Sequence, residues 1–210
     1  KLMIISGMLL LTLVFHSCKK EFLDIAPEGQ QDYNSYYTAD YQVEESVNGI
    51  YNVLQWDFVH GRLDWVYGDV VSDDTDKGGE NDADQPEMRE MELYIHNSGN
   101  GLIAETWNQI YTGIFRANVV LARIDEVPDD AWDNLAYKER LRAEAKFLRA
   151  YFYFRLNIMF GGVPLITTIL ESNEFEQPRA SAAAVWAQIE KDLTEAIPNL
   201  PEKFTKTDNM

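Results

Sequence analysis

The stretch RAEAKFLRAYFYFRLNIMFGGVPLI, Arg142–Ile166, decides the fold. Leu141, Ala145, Leu148, Phe152 and Leu156 recur at spacings of four and three, an apolar stripe along one face of a helix. Phe147, Tyr151, Phe154 and Ile158 add apolar surface on other sides, so the second half suits a core helix. Gly161 and Gly162 stop it, with Pro164 beyond, because glycine tolerates the left-handed C-terminal position and proline cannot continue a helix. Arg142, Lys146 and Arg149 share one face at i, i+4 and i+7, read as a solvated or salt-bridged face.

The pattern extends in both directions. Upstream, Ile103, Trp107, Ile110, Ile114, Ala117, Leu121 and Ile124 form a second long stripe, closed by Pro128. The short polar link Asp129–Asn134 then predicts an antiparallel helix hairpin with Ala136–Phe160. Earlier still, Val43, Val47, Ile50 and Leu54 mark a first helix. Downstream, Val185, Trp186, Ile189, Leu193 and Ile197 mark a last one, beginning after Ser181 and closed by Pro198 and Pro201. The aromatics on these stripes, Trp107, Trp186 and Tyr151–Phe154, read as core, and so does Trp56 at the end of the first helix. The expected fold is all-α, built from antiparallel helix pairs, with residues 39–210 as the helical domain.

Between the first two long helices, Asp57–Gly101 is rich in Gly, Asp and Asn and reads mostly as loop. Short helical turns are expected near Leu63–Val71 and Met88–Ile95. Within it, Asp74, Asp76, Gly79 and Asp82 match positions 1, 3, 6 and 9 of a calcium loop. Gln85 stands where the bidentate Glu of such a loop belongs, so a solvated acidic loop is the expectation and no cofactor is assigned.

The front of the chain carries a different signal. Lys1 precedes an apolar run of about 14 residues, Leu2–Phe15, shorter than the roughly 20 a spanning helix needs. Ser17 and Cys18 follow, and Cys18 is the sole cysteine of 210 residues. A small residue before a lone cysteine resembles a bacterial lipobox. Residues 1–17 are therefore expected to be a lipoprotein signal, with Cys18 the mature N-terminus and acylation (palmitate) site. Residues 18–38, with Pro27 and Gly29, read as an extended tether.

Composition excludes several functions. The net charge of −17 repels phosphate backbones, so nucleic acid is not an expected partner. Three histidines, His16, His60 and His96, and one cysteine leave little for a zinc site or a Ser-His-Asp arrangement. A glycosidase would need a carboxylate pair such as Asp69 with Asp73 or Asp74, held about 5–9.5 Å apart. Sequence spacing does not show such a pair, and no catalysis is expected.

In order, CKKEFLDIAPEG, VNGIYNVL, WNQIYTGIFRANVVLARI, RAEAKFLRAYFYFRLNIMFGGVPLI and SAAAVWAQIEKDLTEAIPNLPEKF resemble the SusD/RagB family of outer-membrane lipoproteins. The resemblance implies tetratricopeptide-like helix pairs with long ligand-facing loops. It implies a surface-exposed, lipid-anchored outer-membrane protein that captures oligosaccharides, or in some relatives peptides, for a SusC-type TonB-dependent transporter. A surface scaffold without a small ligand is the remaining class. Members are typically more than twice this length, so the chain reads as an N-terminal portion. Asn118 matches the family's Asn in its helix and reads as a buried group bonding backbone. Sugar faces need flat aromatic platforms and hydroxyl partners on exposed loops. Trp65, Tyr67, Asp73, Asp74, Tyr94, Asn97 and Asn100 are the expected ligand-binding residues.

Overall fold

The computed structural model describes residues 36–202. The signal segment, Cys18 and nearly all of the tether lie outside the described residues. A compact unit begins at Tyr37. Among the described residues the regular structure is helical, and the one extended pairing is a single antiparallel bridge between Pro164 and Arg179.

Helix α1 spans Asp40–Val53 and buries Val43, Val47, Ile50 and Val53. Its free N-terminal amides find a partner in Gln42, whose Oε1 accepts from the N–H of Thr38 at 2.8 Å and of Ala39 at 3.0 Å. Two π-helical turns follow, Asp57–Gly61 and Val66–Val70, on either side of the turn Leu63–Trp65. Helix α2, Pro86–Glu92, starts with proline where no N–H is needed. Helices α3 (Gly101–Arg123), α4 (Leu135–Phe160) and α5 (Ala182–Ala196) carry Asn100, Asn134 and Ser181 as side-chain N-caps.

Helices α3 and α4 run antiparallel. Arg142 pairs with Asp125 at one end at 2.7 Å, Arg149 Nη1 donates to Asn118 at 2.9 Å in the middle, and Trp107 meets Phe160 edge-on at the other. Helix α5 returns along α4, with Lys146 on Glu195 and Arg149 on Asp192. Helix α1 lies against α3, where Arg116 donates to the Gly49 carbonyl and stacks over the Trp56 ring. Helices α3 and α4 approach closely at Gly113. A Cβ there would stand 2.5 Å from the Phe152 ring, inside van der Waals contact.

The segment after α4 is strapped back onto the helices by its backbone. Gly161 takes φ +69°, and a Cβ on Gly162 would stand 2.1 Å from the Ala180 carbonyl oxygen. The Tyr153 hydroxyl donates to the Ile166 carbonyl at 2.8 Å and accepts from its N–H at 2.6 Å. Asn118 donates to the carbonyls of Ile166 and Thr168, Arg149 to that of Thr167, and Tyr111 to that of Pro164.

Of the two readings of the basic face of α4, the salt-bridged one holds: Arg142, Lys146 and Arg149 each meet a carboxylate. Arg149 is buried at 6% exposure, and Asp192, Asn118 and the Thr167 carbonyl together replace water around its guanidinium. Two expectations change in detail. Trp186 stays 40% exposed, since only one side of α5 faces α4; its ring meets Phe154 edge-on at 5.8 Å. The buried face of α3 runs through Leu102, Thr106, Ile110, Gly113, Ala117 and Val120, leaving Ile103, Trp107 and Leu121 half-buried. Gly113 faces Phe152 on α4 and Thr106 faces Tyr67 on the turn Val66–Val70, so these buried positions carry small side chains rather than the most apolar ones.

Candidate functional site

The turns between α1 and α2 are shaped by a small core of their own: Val66, Val70, Met88, Met91 and Leu102, with Phe58, Tyr67, Val71 and Ile103 packed against it. Alternation around tight turns puts Val66 and Val70 inward and leaves Trp65 41% exposed. Tyr67 leans into this cluster and its hydroxyl lies 3.4 Å from Thr106 Oγ1, with burial pushing its pKa up. On the other side, the Phe58 N–H donates to Gln109 on α3 at 3.1 Å.

A cleft of about 430 Å³ opens beside this segment, lined by Asp64, Tyr67, Gly68, Arg155, Ile158 and Met159. Its size lies in the range of about 300–1,000 Å³ typical of small-ligand sites. An apolar floor from α4 and a charged pair at the rim combine to offer ring packing and hydroxyl recognition together. Asp64 accepts from Arg155 and, at 3.0 Å, from His60 Nδ1. Partial burial would raise the Asp64 carboxyl, but these hydrogen bonds outweigh it and hold the group below the usual carboxylate range. Asp64 and Arg155 were outside the sequence expectation, because charged residues carry no sign in sequence of which cleft they line.

The other expected residues separate. Tyr94 is 67% exposed, takes a left-handed φ of +55°, and its hydroxyl donates to the Val71 carbonyl, joining the end of α2 to the end of the π-helical turns. Asp73 and Asp74 are exposed in the following loop, where the Asp74 N–H donates to Ser72 Oγ at 3.2 Å. Asn97 is exposed and closes a local turn by accepting from the Gly99 N–H at 2.8 Å. Asn100 has a different setting. It is 2% exposed, accepts from the amides of Leu102 and Ile103, and donates to the Glu87 carbonyl and the Glu90 carboxylate. A side chain with its hydrogen-bonding groups so engaged caps α3.

In the acidic loop, Lys77 Nζ donates to the carbonyls of Gly78 and Asn81 at 2.9 and 3.2 Å, and Asp84 accepts from the Glu80 N–H. Among the described residues no three His, Cys, Asp or Glu side chains come together as a metal cluster, Asp74, Asp76 and Asp82 included. No helix among the described residues is long and apolar enough to cross a membrane.

A family model described as starch-binding associating with outer membrane, SusD-like_3, matches residues 21–209. SusD-like protein P38 of Formosa agariphila is 28% identical over 199 residues, covering 93% of this chain and 37% of its own. A SusD-like protein of Bacteroides ovatus is 26% identical over 197 residues, covering 92% of this chain and 34% of its own. Among solved structures, a laminarin binding SusD-like protein superposes with a TM-score of 0.73 at 33% identity, over 82% of this chain and 37% of that one. Surface glycan-binding protein A from Bacteroides uniformis gives 0.71 at 28% identity, over 81% of this chain and 37% of that one. The chain thus spans little more than a third of the length of these relatives. The match across 21–209 and the superposition of the helical fold agree, and the chain belongs to the SusD-like family.

Proposed function

We propose that this chain serves a cell-surface glycan-binding lipoprotein, anchored at the outer membrane through Cys18, that passes oligosaccharides to a SusC-type TonB-dependent transporter. The observation that carries the reading is the likeness to a laminarin binding SusD-like protein at 33% identity. The cleft lined by Asp64, Tyr67 and Arg155, on the segment that also bears the exposed Trp65, supports it. An exposed indole offers a flat apolar face for a sugar ring, and the Asp64–Arg155 pair supplies both an acceptor and a donor for hydroxyls. The overall charge of −17 favours neutral over anionic saccharides.

The test is calorimetric titration of the full-length protein with laminarin oligosaccharides and malto-oligosaccharides, in wild type and Trp65→Ala. A loss of about tenfold in affinity, some 1.4 kcal/mol, is expected for the variant. Equal affinity in both would remove Trp65 from the site, and no binding of either series by wild type would overturn the glycan reading. Co-purification with a large β-barrel transporter tests the second half of the proposal.

A further inference from the structure

Two pairs of residues face each other where α4 passes the π-helical turns. Tyr151 and Arg155 stand four apart on α4; His60 and Asp64 stand four apart on the segment that bears Trp65. Tyr151 Oη lies 2.7 Å from His60 Nε2, and the two rings stack with centroids 5.6 Å apart at 20°. His60 Nδ1 lies 3.0 Å from Asp64 Oδ2, and Asp64 Oδ1 accepts from Arg155 Nη2. Burial raises the Tyr151 hydroxyl, and the neighbouring Arg155 charge opposes the rise. The four groups therefore form a chain that begins and ends on α4.

From this geometry we infer that His60 and Tyr151 are positioning residues for the cleft: they fix the turn 57–70, and with it Trp65 and Tyr67, against α4 without touching the ligand. The inference rests on the glycan reading for its functional meaning, though the clamp itself does not. Few other ties could do this work. The segment is held to α3 by Gln109 and Thr106, but on the α4 side the polar bonds of His60 and Asp64 are the ones that cross. With the carboxylate of Asp64 as acceptor, neutral His60 carries its proton on Nδ1, and its Nε2 lone pair receives the Tyr151 hydroxyl proton. Each hydrogen bond thereby selects the direction of the next. Bonded at both ring nitrogens and stacked on Tyr151, the imidazole ties the turn that carries it to α4.

The experiment uses the full-length protein with four variants, Tyr151→Phe, His60→Ala, His60→Gln and Asp64→Ala. Hydrogen exchange of amides 57–70 is expected to speed up about tenfold in Tyr151→Phe and His60→Ala, with α3 amides 101–123 unchanged. His60→Gln, which can still donate to Asp64 and accept from Tyr151, is expected to restore protection. Nitrogen chemical shifts of the His60 ring report the Nδ1–H tautomer in wild type and its loss in Asp64→Ala, a change that packing alone would not produce. Laminarin oligosaccharide affinity should fall in step with lost protection. Unchanged exchange in both Tyr151→Phe and His60→Ala overturns the clamp. Faster exchange in these variants while wild type binds no glycan upholds the clamp and overturns only the glycan reading.

Discussion

Arg149 grips Asp192 with two parallel hydrogen bonds of 2.8 and 2.7 Å, joining α4 to α5 at a point where the residues are 6% and 1% exposed. Gln188 adds a donor to the same carboxylate at 2.9 Å, and Asn118 accepts from the other side of the guanidinium. Removing one partner leaves a buried charge without its counterion. Asp192→Ala is expected to cost about 3–5 kcal/mol, read from urea denaturation. The double replacement Arg149→Met with Asp192→Leu should recover much of the loss, because neither charge then remains buried. A double variant as unstable as the single one would contradict this account.

The Gly113–Phe152 contact makes a second prediction. Gly113→Ala places a methyl 2.5 Å from a ring that is fully buried, so the Phe152 ring must shift or α3 and α4 must separate. The expected cost is about 1–3 kcal/mol, with part of it returned by Phe152→Leu in the same chain. Thermal melts of the two variants and their combination decide it.

Asp125 predicts the acid limb of stability. Hydrogen bonding from Arg142 first, and from Lys138, holds its carboxyl below the usual value, although burial pulls the other way. A depressed folded-state pKa stabilises the fold above the unfolded value of about 3.9 and loses that contribution as pH falls through the folded value. Asp125→Asn should therefore flatten the stability curve below about pH 4 and leave its slope near neutrality unchanged. An unaltered acid limb would show that the exposed carboxylate is screened.

Tyr153 sets the alkaline limb. Burial pushes its hydroxyl up to about 12 while it donates to the Ile166 carbonyl. A raised folded-state value means that the stability contribution is complete below the unfolded value of about 10 and is lost as pH climbs towards 12. Absorbance at the tyrosinate band, followed against unfolding by circular dichroism, should show buried tyrosines, Tyr153 among them, ionising with the fold. Tyr153→Phe should remove one tyrosine from that step and also lower neutral stability, by leaving the Ile166 N–H without its partner while the carbonyl keeps Asn118.

For the anchor, Cys18→Ala in the full-length protein should abolish acylation and move the protein from the detergent phase to the aqueous phase on phase partitioning. Membrane-bound, acylated protein from that variant would eliminate Cys18 as the lipid site.

Element positions were legible because long helices carry their own punctuation. Asn134 and Ser181 cap, Gly161 stops, and the four-three spacing of Val43, Val47 and Ile50 places α1. What sequence could not show was anything joining distant positions. Arg149 and Asp192 are 43 residues apart, and a basic residue on a helix face looks the same whether it meets water or a buried carboxylate. Asn118 was legible as a buried backbone partner, since an amide on a core stripe has to find one. Asn100 carries two signals at once: its neighbours Asn97–Gly99 suggest a ligand loop, and an asparagine just before an apolar helical run is also a cap signal, the role its bonds to Leu102 and Ile103 show. Asp64 and Arg155 came together only through the π-helical turns, which leave no period in the sequence.

The strap from Val163 to Thr168 is held by its peptide groups: the recorded bonds from Tyr111, Asn118, Arg149 and Tyr153 all end on carbonyls or an amide. Apart from the buried Val163, attachment of this kind is indifferent to which side chains the strap carries. Leu165, Thr167 and Thr168 are therefore open to wide substitution, whereas a proline at Ile166 would delete the amide on which the Tyr153 oxygen depends. The strap is a place where the sequence can drift while the path of the chain stays fixed.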